Sequence, residues 1–173
     1  MLNDIYNTKI LEYAGNIERI GRLENADARA KAHSKLCGST IEVDLKMDMG
    51  NENGDGIVTD FAHQVKACAL GQAAASIMAR LVVGASASEL KALKAQIYAM
   101  LKEEGEPPSG KFEEFKFLLA VRDYKARHAS TLLTFDAVVD CIEQIEAEQI
   151  EPEKTEAEKI EVEQKSTTPK ERA

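Results

Sequence analysis

Between Ile41 and Asp48 the chain alternates without a break. Ile41, Val43, Leu45 and Met47 are apolar, and Glu42, Asp44, Lys46 and Asp48 are charged. Successive side chains of a strand point to opposite faces, so this stretch is a strand with one face buried and one wet. The run MGNENGDG that follows is rich in residues that accept positive φ and reads as a turn. Gly56–Ala67 then returns as the partner strand, and the pair is a hairpin. A half-wet hairpin must cover its apolar face with other elements. A short first strand is expected over Ala28–Lys35, although alanine is a poor strand former.

The covering elements read as helices. Leu2–Ala14 places Ile5, Tyr6, Ile10 and Tyr13 near one helical face, and Gly15 and Asn16 end it. Asn16–Leu23 is a connecting loop. Leu70–Val83 is a helix of small and apolar residues, with Ala74, Ile77, Met78 and Leu81 at helical spacing. Ser86-Ala87-Ser88 with Glu89 has the pattern of an N-cap for a second helix over Ser88–Glu104. GEPPSG is a loop, Phe112–Leu119 a short apolar helix, and Asp123–Ala129 a polar, extended approach to a last helix, Ser130–Glu148. Leu132, Phe135, Val139 and Ile142 form one stripe of that helix, with Leu133, Val138 and Ile145 beside it. The expected class is α+β: a small antiparallel sheet of about three strands packed by helices.

From Glu146 onward the composition shifts. Nine Glu stand against five Lys and Arg, half of the chain's net charge of −8, with only Ile150, Ile160 and Val162 as isolated apolar residues. Such a segment cannot bury enough surface to offset the entropy of ordering it. The expectation is one domain over residues 1–148 and a disordered acidic tail over 149–173, in which EKTEAEKIEVEQ has the composition of a transient helix. A charge of −8 without a strong basic patch argues against a phosphate-backbone binder, so no nucleic-acid partner is expected. No apolar run approaches the roughly 18 residues of a membrane span, and MLNDIYNTK lacks the pattern of a signal peptide. A soluble cytoplasmic chain is expected.

Three cysteines, Cys37, Cys68 and Cys141, are too few and too odd in number for a disulfide framework and read as thiols. Cys68 falls where the returning strand ends and a helix begins. The free N–H groups and positive dipole end of that helix favour a thiolate there. Cys68 is therefore expected to be the more reactive thiol, with Cys37 next. Cys141 reads as a small buried residue of the last helix. No glycine spacing matches a phosphate loop, and no Ser/His/Asp arrangement can be assigned from scattered residues.

Several of these pieces together resemble a known family. The order is a helix, N-x-x-x-x-G-x-L at Asn16–Leu23, Cys-Gly at Cys37-Gly38, a hairpin, Cys68 at a strand–helix junction, two helices, and a last helix after VRDYKARHAS. This resembles the NifU N-terminal, IscU and SufU family of iron–sulfur cluster scaffold proteins over Leu2–Gln144. CGST stands for the family's CGD, and CALGQAAAS resembles its second-cysteine helix start. VRDYKARHASTLLTFDAV and the insertion Lys102–Leu119 resemble the SufU branch, and the IscU motif LPPVK has no counterpart.

The resemblance implies a three-cysteine site on an α+β domain, where an iron–sulfur cluster is built from iron and from sulfur delivered by a cysteine desulfurase, then passed to apo acceptor proteins. Thiolates suit such clusters and zinc because sulfur is a soft ligand. Cys37 and Cys68 match the first two family cysteines. The acidic residue two positions after the first is Ser39 here. The third cysteine is missing: the register preferred on downstream agreement puts Ser130 there, and a shift by one residue puts Ala129. Cys141 lies about three helical turns further along and cannot replace it.

All three histidines lie just upstream of a family ligand position. If those approaches are extended, strand parity puts His33 on the face of Cys37 and His128 on the face of Ser130, while His63 points away from Cys68. Cys37, Cys68, His128 and His33 are then candidate ligands for iron or zinc. The alternative is that His33 and His128 are ordinary partly exposed residues and His63 a core or surface residue. Arg122, Lys125 and Arg127 form a solvated face or a docking site for the desulfurase. Three functions remain open: a scaffold, a carrier rather than an enzyme, which could share a cluster across a homodimer; a zinc-dependent sulfur acceptor of the SufU kind; and a metal-free regulatory binding module.

Overall fold

The computed structural model describes residues 2–50 and 54–166, and the side chains of residues 8–50 and 54–150. Its elements are α1 (Leu2–Gly15), β1 (Ala28–His33), β2 (Thr40–Asp48), β3 (Ile57–Lys66), α2 (Ala69–Leu81), α3 (Ala87–Lys102), a 3-10 helix (Gly110–Val121) and α4 (Lys125–Ser166). The class is α+β, as the alternation demands. Of the turn expected over Met49–Gly56, residues 51–53 lie outside the described ones.

The three strands form one antiparallel sheet in the order β1-β2-β3. Ala28 pairs with Leu45 and Ala32 with Ile41 on one side of β2, and on the other Val43 pairs with His63 and Leu45 with Phe61. These residues make the inner face, where Ile41, Val43, Leu45, Phe61 and His63 are buried. The register slips between Lys46 and Met47. This bulge lets both Val58 and Phe61 turn inward although they stand three residues apart.

Helices α2 and α4 lie on the inner face, α1 packs on α2, and α3 on α4. Ile77, Met78, Phe135, Val138 and Ile142 fill the layer between helices and sheet, and Cys141 is among them with its thiol 3.6 Å from the Val43 carbonyl. On α1, Ile10 and Tyr13 are buried as expected; the side chains of Ile5 and Tyr6 lie outside the described ones. The capping pattern starts α3 one residue earlier than expected. Ser86 Oγ accepts from Glu89 N at 3.2 Å, and Glu89 Oε2 accepts from Ser86 N at 2.8 Å. A reciprocal cap of this kind is worth about 1 kcal/mol.

The outer face is polar and carries no helix. Asp44, 1 % exposed there, accepts from Leu23 N at 2.9 Å and Arg22 Nε at 3.0 Å. The Asn16–Leu23 loop thereby crosses onto the sheet, and at β3 it continues as backbone pairing: Gly21 N donates to His63 O and His63 N to Arg19 O. Arg19 and Gly21 hold positive φ to make that turn, 57° and 141°. His63 is a fully buried core residue whose Nε2 donates to the Glu18 carbonyl at 2.9 Å.

Two elements differ from expectation. Asp123–Ala129 is not extended: α4 begins at Lys125, and its first turn is polar because it faces outward. At its other end α4 runs past Glu148 to Ser166, taking in the Glu/Lys/Ala-rich stretch whose composition favours helix. Ile145 is the last buried side chain among the described residues. Among the described residues no helix is long and apolar enough to cross a membrane.

Candidate functional site

Cys37 stands on the turn that links β1 to β2. Gly38 N donates to Ser34 O and Ser34 N to Ser39 O, both at 2.9 Å, and Gly38 takes a φ of 69° that closes the turn. The turn aims two hydroxyls at the sulfur. Cys37 Sγ lies 3.4 Å from Ser34 Oγ and 3.0 Å from Ser39 Oγ. Hydrogen bonding with Ser34 first, then with the Ser39 side chain and N–H, brings this exposed thiol down to about 7, and the Ser130 hydroxyl adds to the effect.

Cys68 is the N-cap residue of α2, with extended backbone at φ −67° and ψ 170°. Burial opposes its ionisation. The Ser130 hydroxyl, the N–H groups of Gly71 and Leu70 at the helix start, and the charge of Arg127 outweigh that burial and hold the thiol below its usual range. Cys37 is exposed and brought to about 7, so a small reagent in solution reaches it before the half-buried Cys68, whose thiol is lowered as well. Cys141 is inert by the same logic, since burial pushes its thiol up to about 12.

Ser130 comes from the second turn of α4 and is fully buried. Its hydroxyl donates to Arg127 O at 3.0 Å and lies 3.4 Å from Cys68 Sγ. Cys37, Cys68 and Ser130 therefore converge, from a turn, a helix start and a helix body. Gly71 makes that approach feasible. A Cβ at this position would stand 2.8 Å from Ala67 Cβ, closer than such contacts allow, and 3.0 Å from the Ser130 carbonyl oxygen, which would have to give way by a few tenths of an ångström.

The histidines do not join them. Because residues 125–129 are helical, the strand parity that would put His128 on the ligand face does not apply. His128 is buried and its Nε2 donates to Arg122 O at 2.8 Å, tying the start of α4 to the preceding loop. His33 ends β1 opposite Thr40 with its side chain in solvent. Among the described residues no three His, Cys, Asp or Glu side chains gather closely enough to hold a metal ion. The donor set is two thiols and a hydroxyl. It suits part of a cluster's sulfur shell and does not close the four-coordinate shell of a structural zinc.

Arg122 is taken up inside the fold, donating to Met100 O and Gly105 O at 2.7 and 2.6 Å, so it leaves the basic face to Lys125 and Arg127. Two site residues escape a reading of the sequence: Ser34, and Ser39 in the role of a donor to sulfur. The spacing S-x-x-C-x-S is the available signal, but a Ser near a Cys is too common to single out.

The model of the NifU-like N-terminal domain matches residues 5–131. The iron–sulfur cluster assembly scaffold protein IscU of Thermotoga maritima is 25% identical over 141 residues, covering 82% of this chain and 94% of that protein. Among solved structures, a nitrogen-fixing NifU-like protein (N-terminal) from Brucella abortus is 62% identical with a TM-score of 0.78, covering 84% of this chain and 97% of that one. An iron–sulfur cluster assembly scaffold protein for the SUF system from Fervidobacterium islandicum shares the fold at 20% identity and a TM-score of 0.70, over 80% of this chain and 97% of that one.

Proposed function

This chain belongs to the NifU-like N-terminal domain family, and from that premise we propose that it is an iron–sulfur cluster assembly scaffold. The observation that carries the reading is the convergence of Cys37 and Cys68, both held toward the thiolate, on the hydroxyl of Ser130. The cluster is cargo in this reading. Thiolates bind iron as soft ligands, and two of them from separate elements hold it at the surface, where it can leave for an apo acceptor protein.

Sulfur comes from a cysteine desulfurase that docks over the site in the cytoplasm. The Cys68 thiolate attacks the outer sulfur of the desulfurase persulfide. The S–S bond breaks, the desulfurase cysteine leaves as a thiolate, and the outer sulfur stays on Cys68 as a new persulfide. No net oxidation occurs. Arg127, whose charge favours the Cys68 thiolate, also favours the anionic persulfide. Ser130 holds its proton near neutral pH and donates it to the Arg127 carbonyl; its oxygen stands within hydrogen-bond range of Cys68 and is not a third ligand of thiolate strength.

Anaerobic reconstitution with a desulfurase, cysteine and ferrous iron tests the reading. The expected result is visible absorbance with iron and sulfide in equal amounts on the protein, abolished by Cys37→Ala or Cys68→Ala. The short donor set favours one second reading, a metal-free binding module. A protein that takes up neither iron nor sulfide, even as Ser130→Cys, would establish that module instead.

A further inference from the structure

On the outer face of the sheet, beside Arg22 of the crossing loop, lies a groove of about 420 Å³ that reaches Gly38. Lys31, Glu42 and Gln64 stand in one cross-strand row at its foot, and Thr40 pairs with Lys66 in the row above. Gly38, the neighbour of Cys37, forms its upper rim, and an added Cβ there would meet nothing within 4 Å. The groove therefore runs from the cross-strand charges to Gly38, one residue from Cys37, and neither Cys37 nor Cys68 lines it.

Its charge is uneven. Glu42 is neutralised by Lys31 at 2.9 Å and Arg22 at 2.7 Å. Lys66 is exposed and has no acidic partner among the described residues, and it stands two positions before Cys68. Gln64 and Thr40 add hydrogen-bonding side chains beside it. One uncompensated ammonium with polar neighbours is a site for a carboxylate. The rim by Cys37 is where sulfur is short.

We propose that this groove binds a low-molecular-weight thiol carrying a carboxylate, and that its sulfur completes the ligand shell that Cys37 and Cys68 leave open. The carboxylate sits on Lys66, with Gln64 and Thr40 as donors, and the thiol reaches past Gly38 toward Cys37. On binding iron, the S–H bond gives its proton to solvent and an S–Fe bond forms, with no change of oxidation state. The ligand role rests on the scaffold reading; the binding site does not.

The first measurement is amide chemical shifts of the metal-free full chain, titrated with reduced glutathione, L-cysteine or 2-mercaptoethanol. Shifts at Gly38, Thr40, Gln64 and Lys66 are expected with the first two and not with the third, which lacks a carboxylate. Glutathione alone would assign a peptide thiol, L-cysteine alone a free amino acid. Lys66→Gln is expected to weaken binding by about two- to fivefold, the worth of one exposed ion pair, and Lys66→Glu further. Absence of these shifts, or equal shifts with 2-mercaptoethanol, overturns the site.

The second measurement is cluster lifetime after chelator is added, with the same three thiols. Longer lifetimes with a carboxylate thiol in the wild type, and no such difference in Lys66→Gln, support the ligand role. A cluster that forms but lasts equally long with every thiol, or whose lifetime follows protein concentration instead, overturns that role and leaves the scaffold reading standing. Amide shifts without cluster formation in any thiol keep the binding site and sink the scaffold reading with the ligand role.

Discussion

The hydroxyl of Ser130 lies 3.4 Å from the sulfur of Cys68, across 62 residues of sequence. A hydroxyl there can lend a hydrogen bond to the thiolate but gives a metal far less than a third sulfur would. Replacing it changes one atom at the centre of the site. Ser130→Cys is expected to lengthen the lifetime of a reconstituted cluster under chelator by at least about tenfold, the low end of what even an outer-shell change does to metal affinity. Visible absorbance followed over time measures it. An unchanged lifetime would mean that Ser130 does not face the cargo.

The thiols differ in acidity, so their alkylation should separate with pH. Cys37 is expected to react fastest, its rate rising with pH through about 7 and levelling above it. Cys68 should follow, and Cys141, raised to about 12 by burial, should not react until the protein unfolds. A folded-state value that is depressed stabilises the fold above the unfolded thiol's pKa, and this is lost as pH falls through about 7. For Cys141 the sign is opposite: its contribution is whole below the unfolded thiol's pKa and fades as pH rises toward about 12. Mass spectrometry of timed alkylation reads the order. Cys141 reacting first would contradict the burial.

Gly71→Ala is the sharpest structural probe of the site. The new methyl collides with Ala67 and crowds the Ser130 backbone. Overpacking costs about 1–3 kcal/mol, against at most about 1 kcal/mol regained in helix propensity. We expect a lower melting temperature together with a Cys68 thiol that titrates higher, because α2 and Ser130 part. A variant as stable as the wild type, with an unmoved thiol titration, would show that the two helices have room to spare.

Deleting residues 149–173 is expected to shift the melting temperature by less than about 2 °C, below the effect of 1 kcal/mol in a domain of this size. The ground is that burial among the described side chains stops at Ile145, while Ile150 is 52 % exposed. Calorimetry of the shortened chain decides. A larger loss would mean that the far part of α4 packs and that the domain boundary near Glu148 is misplaced.

The parts of this fold that are legible in the sequence are those where one local rule acts alone. Alternation sets the faces of Ile41–Asp48, and the spacing of Ser86 and Glu89 is enough to mark a capping box. A change in the period of apolar residues puts Cys68 at a strand–helix junction. What stays hidden depends on neighbours distant in sequence. The first turn of α4 is polar and reads as extended, yet His128 and Thr131 bond it back onto Arg122 and Arg127 as helix. The pairing of Ile20 with His63 along the sheet edge has no periodic signal at all. The same holds for the site: the positions of both thiols are readable, whereas the exclusion of His33 and His128 from them is not.

The scatter of Cys37, Cys68 and Ser130 over three distant elements bears on the life of the protein before it is finished. While the chain is still emerging from the ribosome, Cys37 and Cys68 are present without the helix that carries Ser130. The site comes into being only when α4 has folded back onto the sheet. A half-made chain therefore offers two separate cysteines, and the three-part site exists only in molecules that have completed this fold.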